Sequence, residues 1–375
     1  MNPVPSIIPL PEALALPAPA WLLWSLLMLT FVLHVIAMNL LVGGSLIAAV
    51  ARLRPSTDAN ARELVGRLTR PMPVLVAATV TFGVAPLLFL QVLYGRLFFT
   101  SSVLMAAPWL AIVPALVLAY YGVYGLAFRT RAGRATPAWW HVAIAVGLLA
   151  IGLVYTANMT LMVRADRFAA LYAASGRGLH FGGGDPTIWP RWMHMMLGAI
   201  ALAGLAVTWI GVSRAAVQPA FGRWAARYGA RWAAVATGVN LLAGVWWLVA
   251  MPWSTLQRLL TGSIAGPAFF GIGLLFGLTT FSALVVLAVS PPSRRLVAFT
   301  TASMLLTIVF MAFTRDQLRN VGLERIGFEQ VRWVSPQWVP FGLFAVCLLL
   351  AVGVVAWMAR VLWLAEGAHQ RDAAA

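Results

Sequence analysis

The chain has 375 residues, of which hydrophobic types make up 62% and charged types only 10%, and its mean hydropathy is +0.88. So little charge could not cover a water-soluble protein of this length, whereas lipid can solvate the excess apolar surface. The formal net charge of +16 would suggest nucleic-acid binding in a soluble protein; here the arginines read as loop anchors beside membrane helices, and no nucleic-acid partner is expected.

Spanning the hydrocarbon takes about 20 apolar residues as a helix. Runs of that length occur near 20–51, 72–95, 101–128, 138–163, 187–213, 229–252, 264–290, 295–314 and 337–364. A lipid-exposed strand could not satisfy its backbone, so each run is expected to be helical. The fold expected is therefore an all-α integral membrane protein of about nine transmembrane helices, forming a single polytopic domain over 1–375. The segment Met1 to Pro19 has no Lys or Arg before its apolar stretch and does not read as a cleaved signal peptide.

Loop charges set the orientation. Arg52, Arg54, Arg62, Arg67 and Arg70 follow the first run, and Arg129, Arg131 and Arg134 follow the third. Arg214, Arg223 and Arg227 follow the fifth, and Arg294 and Arg295 the seventh. The positive-inside rule puts these loops in the cytoplasm, the N-terminus outside and the C-terminus inside. The opposite side carries Arg96 in one turn, Arg258 in another, and two longer loops of mixed charge, about 164–191 and 315–336, which look folded over a site.

No acidic residue falls well inside a run: Asp58 and Glu63 lie in an inner loop, and Asp166, Asp185, Asp316, Glu324 and Glu329 in outer loops. A proton-coupled transporter usually keeps a carboxylate at membrane depth, so that class is disfavoured. Histidine is the better lead. His34 sits near the middle of the first run and His194 in the outer third of the fifth. Neutral imidazole is a good ligand for haem iron, although a histidine bonded between helices is the plain alternative. His141, beside Trp139 and Trp140, reads as an interfacial anchor, His180 as a loop residue and His369 as part of the tail.

Met38 and Gly198 follow the two histidines by four residues, with Asn39, Gly43, Gly44 and Gly204 further on. Residues four apart share a helix face, so small residues there would leave room for a flat macrocycle, or simply let helices pack closely. Haem propionates need cations at the water boundary. Arg191, three residues before His194, and Arg315 and Arg319, expected to cap the outer end of the eighth helix, fit that need. Cys347 is the single cysteine and there is no Cys-x-x-Cys-His, so no covalently attached c-type haem is expected.

These stretches resemble subunit I of cytochrome bd-type quinol oxidases, particularly divergent bd-like members. Leu33-His34 through Gly43 is similar to the family's His-bearing first helix, and Phe82-Gly83-Val84-Ala85 with Gln91 through Gly95 to its second. Ala157-Asn158-Met159 through Met162 resembles the end of its fourth helix, and Trp192-Met193-His194 the place of its low-spin haem b ligand. The likeness is strongest over 20–214, the expected haem-bearing half, and weaker over helices six to nine, 229–364. It implies haem b, one or more, with His34 and His194 as iron ligands, and possible quinone binding. It also implies a bacterial inner-membrane location, with the bilayer, quinol and a c-type cytochrome or other redox subunits as partners.

The chain also departs from that family. The family's second ligand to that haem, a Met on helix seven, has no counterpart between Gly266 and Gly277; Met251, Met159 or Met311 would have to substitute. The family's membrane glutamates on helices three and eight are missing, and the quinol loop shrinks to Trp253 through Ser263. The expected function is therefore electron transfer between the quinone pool and an extracytoplasmic cytochrome. A bd-type terminal oxidase and a haem-free transporter or structural subunit are the alternatives.

Overall fold

The computed structural model describes residues 14–55, 57–291, 293–328 and 333–372. Residues 1–13 and Glu329 lie outside that set, as does the side chain of His369. In chain order the helices are α1 (Ala20–Arg52), α2 (Ala59–Thr69), α3 (Met72–Leu104), α4 (Ala106–Arg131), α5 (Ala138–Met162), α6 (Phe168–Ala174) and α7 (Ile188–Arg214). They continue as α8 (Pro219–Ala250), α9 (Trp253–Thr261), α10 (Ala265–Val289), α11 (Arg294–Arg325) and α12 (Trp338–Asp372). Among the described residues nine are long and apolar enough to cross a membrane, and these correspond to the nine runs in the sequence. The chain is a multi-pass membrane protein.

The helices turn their apolar residues outward as well as inward. Leu118 is 72% exposed on α4, Val249 79% on α8 and Leu349 72% on α12. That is the pattern of a bundle solvated by lipid, where packing rather than water exclusion holds helices together. Packing therefore relies on close backbone approach, most of all between α7 and α8. A Cβ at Gly211 would strike the backbone of Ala226 and lie 2.7 Å from the Gly222 carbonyl oxygen. A Cβ at Gly204 would sit 2.8 Å from the Gly229 oxygen, and one at Gly229 would sit 2.5 Å from the Gly204 oxygen. Small residues seven apart on each helix thus form one seam along two antiparallel neighbours. Gly43 of α1 does the same against the Ala199 carbonyl of α7. Of the two readings of Gly43 and Gly204, room for a macrocycle or close helix packing, the structure shows the second.

Alternation gathers the start of α1, the ends of α3, α5, α8 and α11, and the start of α7 at one end of the bundle. That end is covered. Leu16 pairs with the segment before α12, donating its N–H to Trp333 at 3.0 Å and accepting from Ser335 at 2.9 Å. The connection between α5 and α7 is pinned by Arg164, which bridges Asp166 and Asp185. Asp185 also accepts from the Thr187 N–H and hydroxyl, at 2.9 and 2.6 Å. Burial alone would raise the Asp185 carboxyl, but the bonds from Thr187 and Arg164 outweigh it and hold it below its ordinary value.

A depressed folded-state value means that this stabilisation is present above the unfolded carboxyl range, about pH 3.9, and is lost as pH falls through the lower folded value. Amide exchange over 164–187 should therefore accelerate, relative to the spanning helices, only below about pH 4. Asp185→Asn should show the fast exchange already at neutral pH. Equal exchange in the two proteins at pH 7 would remove Asp185 as the pin.

Candidate functional site

Both intramembrane histidines are held by one device. A helix carbonyl is normally screened by the side chain four residues later, because side chains lean toward the helix N-terminus. On α3 that later residue is Gly83, so the Thr79 carbonyl is uncovered and accepts from His34 Nδ1 at 3.0 Å. A Cβ at Gly83 would lie 2.8 Å from both Cε1 and Nδ1 of the imidazole. On α8 the pair is Asn240 and Gly244: the Asn240 carbonyl accepts from His194 Nδ1 at 3.2 Å, and a Gly244 Cβ would lie 3.4 Å from the ring. A carbonyl can only accept, so Nδ1 carries the proton in each ring and the lone pair is on Nε2. Metal-ligating histidines are oriented in this way.

His34 faces a cavity of ≈ 270 Å³ lined by residues of α1, α3, α4, α5, α7 and α11. Its wall is largely apolar, with thioethers from Met38, Met159, Met195 and Met196. One end is cationic, closed by Arg191, Arg315 and Arg319. Arg191 donates to Thr160 at 2.8 Å and lies over the Trp247 ring, 5.1 Å from its centroid. Arg315 lies over Phe31 at 4.6 Å and Arg319 over Tyr94 at 4.4 Å. The residues lining this cavity include no carboxylate.

The arginines do not cap a helix end. α11 continues to Arg325, so Arg315 and Arg319 lie inside it, and the connection expected over 315–336 begins only after Arg325. Asp316 is carried inward with them. It is 1% exposed and bonded to Arg319 and to the Trp24 indole N–H, the latter at 2.8 Å. The expectation that no carboxylate lies within a spanning helix is therefore corrected. Three charged residues within five positions, Arg315, Asp316 and Arg319, ended the apolar run in the sequence, yet they pair or face the cavity and the helix runs on. Asp316→Ala should lower stability by about 3–5 kcal/mol, because it strands the buried Arg319 guanidinium. Thermal unfolding in detergent checks this, and the double variant Asp316→Ala/Arg319→Met should recover most of the loss. No recovery would mean that the pair is not what Asp316 serves.

Of the sequence candidates, His34, Met38, Arg191, Arg315 and Arg319 line one cavity. His194 stands apart on the α8-facing side of α7, with Trp247 at 5.8 Å between ring centroids. Arg191 and Trp247 are the link between the two places. Met251 is buried at the end of α8 and does not line the His34 cavity. Met311 fills the space beside Gly273, whose Cβ would lie 3.0 Å from its methyl. Met159 does face the His34 cavity. His141 is no interfacial anchor. It is 2% exposed and its Nε2 meets the hydroxyl of Thr136, in the turn just before α5, at 3.0 Å. The shortened connection at Trp253 is not loop but the short helix α9.

The residues that sequence reasoning passed over are the glycine seats on partner helices, together with Asp316. A signal for the first existed: Thr79/Gly83 and Asn240/Gly244 are each a carbonyl with glycine four residues on. Nothing in the sequence says which histidine meets which carbonyl.

The donor set fits a haem. A porphyrin supplies four of its iron's ligands, so the protein need offer only one or two axial donors. His34 is a single tautomer-fixed imidazole on an apolar chamber whose far end is cationic, and among the described residues no three His, Cys, Asp or Glu come together. No family model matches the chain, and no curated protein does. The bd oxidase of Geobacillus thermodenitrificans is similar in structure, with TM-score 0.70 over 92% of this chain and 99% of that chain. The identity is 14%, so the likeness is one of fold. The chain has a bd-oxidase-like fold.

Proposed function

We propose that this chain is a haem b-binding membrane subunit, on a scaffold like subunit I of bd-type oxidases, which passes electrons between the quinone pool and an extracytoplasmic cytochrome partner. The observation that carries this reading is the pair of imidazoles, each pinned through Nδ1 to a glycine-uncovered carbonyl, with His34 set on an apolar chamber ended by arginines. His34 would ligate one iron and His194 a second, with Met159 facing the first chamber as a thioether donor. When bound, haem supplies a one-electron carrier whose potential responds to its axial ligands and burial. The residues orient the imidazoles, exclude water with the apolar wall, and place Arg191, Arg315 and Arg319 where carboxylates would lie. By the positive-inside rule the arginine end of the chamber faces away from the cytoplasm, in a bacterial inner membrane.

A reduced-minus-oxidised absorption spectrum with haem extraction on the purified protein tests the reading. A b-type signal is expected, and its absence would overturn the proposal. Buried Asp316 favours a second reading, a quinol oxidase, because it supplies the membrane carboxylate that the sequence seemed to lack. Oxygen consumption with quinol as donor decides between the two. Rapid turnover would establish the oxidase, and its absence in haem-loaded protein the electron-transfer subunit.

A further inference from the structure

Helix α8 is longer than a membrane is thick. Its 32 residues extend about 48 Å, against about 30 Å of hydrocarbon, and its apolar run begins near 229. Its first turns, at the end of the bundle away from the His34 chamber's arginines, therefore stand in the headgroup layer. They carry arginine at every fourth position, Arg223, Arg227 and Arg231. Two sets of contacts fix which way these point. Ala226, Gly229 and Ala233 meet the backbone of α7. Trp224 and Tyr228 stack at 4.8 Å beneath Arg54 of the α1–α2 connection, whose guanidinium lies 5.9 and 5.3 Å from the two ring centroids. The arginine lane is left facing outward, and all three side chains are exposed.

The positive-inside rule accounts for arginines at this end of the bundle, but not for their being free. Arg52 donates to the Thr136 carbonyl at 2.7 Å, Arg129 to that of Ala135 at 2.9 Å and Arg131 to that of Arg70 at 3.2 Å. Arg54 pairs with Asp58 and Arg67 with Glu63, which occupies the acids between α1 and α3. Arg223, Arg227 and Arg231 make no hydrogen bond or ion pair among the described residues. Further along the same lane, by steps of four or three, the residues become Val235, Val239, Leu242, Trp246 and Val249, all exposed. One face of α8 thus runs from three unpaired guanidinium groups to a bare apolar track.

We infer that this lane is a binding site for an anionic phospholipid, with the phosphate held by Arg227 and Arg231 and an acyl chain lying along Val235 to Val249. Arg231 sits where the apolar run starts, which is the depth of the phosphate. Arg227 follows about 6 Å further out, within reach of the same headgroup, and a guanidinium fork suits phosphate oxygens. Arg223 adds attraction from one turn beyond. A zwitterionic headgroup would bring its own cation into the lane, and a free phosphate has no chain to cover the apolar track. The site is separate from both histidines and does not depend on haem.

The test titrates phosphatidylglycerol, and phosphatidylcholine with the same acyl chains, into the full-length protein in detergent, following the thermal midpoint. A saturable rise at lower concentration with phosphatidylglycerol is expected. Arg227→Gln/Arg231→Gln should weaken the apparent affinity for it about fivefold for each arginine removed, hence about thirtyfold for the pair. Arg62→Gln/Arg134→Gln removes the same charge from exposed positions at the same end but off the lane, and should titrate like wild type. Should the first double variant fail to fold, Arg227→Gln alone is read for its fivefold loss. Equal weakening by the two double variants would reduce the effect to the general field of that end and overturn the inference. Equal titration by the two lipids would overturn it too. So would an equal rise with glycerol phosphate, which carries no acyl chain and would make the lane a phosphate site.

Discussion

Replacing His34 with Ala should remove one haem per chain while leaving the protein folded. The imidazole already borders an open chamber, so its loss enlarges a space rather than collapsing a core, and its one hydrogen bond is to a carbonyl that keeps its helix partner. Haem content by extraction, with thermal unfolding as the control, reads this directly. A spectrum unchanged by His34→Ala would end the assignment of His34 as a ligand. Gly83→Val separates ligation from mere presence of the side chain. Its Cβ would sit 2.8 Å from the ring atoms, so the imidazole must turn off the Thr79 carbonyl. Displacing such an orienting partner costs about 10–100-fold in metal affinity. Gly44→Ala on α1 meets nothing within 4 Å and should bind haem normally.

The second large effect lies on the seam between α7 and α8. Gly211→Leu would drive a side chain into the Ala226 backbone and toward the Gly222 carbonyl. Neither can move without separating the helices. Overpacking of this kind costs about 3 kcal/mol at the upper end of its ordinary range, and rigid backbone on both sides puts this site there. The consequence should reach the candidate site, because the His194 bond to Asn240 crosses the same interface at 3.2 Å. Yield and thermal midpoint should fall together with the spectral contribution assigned to His194. Gly147→Leu, with nothing within 4 Å, is the matched control and should fall within about 0.5 kcal/mol of wild type. Equal behaviour of the two variants would show that the seam is not what holds α7 to α8.

The boundary of α11 illustrates how sequence and structure divide. Hydropathy ended that run at Thr314 because Arg315, Asp316 and Arg319 follow it, and for an isolated helix in lipid that is sound. In the bundle, Asp316 neutralises Arg319 and bonds Trp24, while Arg315 faces a cavity instead of lipid. The helix therefore continues to Arg325. The same limit applied to the glycines. Gly43 and Gly204 lie near the histidines along their own helices and could be read as room for a cofactor or as packing contacts, and other backbones fill them. The seats that matter, Gly83 and Gly244, stand on different helices from the histidines they receive.

The sequence by itself determined the solvent and the nine spanning helices found among the described residues, because the hydrocarbon thickness and the need to satisfy every backbone group make each long apolar run a helix. It also singled out His34, His194 and the three arginines by their residue type. Tertiary structure alone decided which of these meet. It put His34 and the arginines on one chamber, set His194 against α8 and drew Asp316 inward. Those outcomes depend on the rotation of each helix about its axis, which close contact at glycine fixes in a lipid-solvated bundle. Apolar runs with no polar face carry almost no record of that rotation.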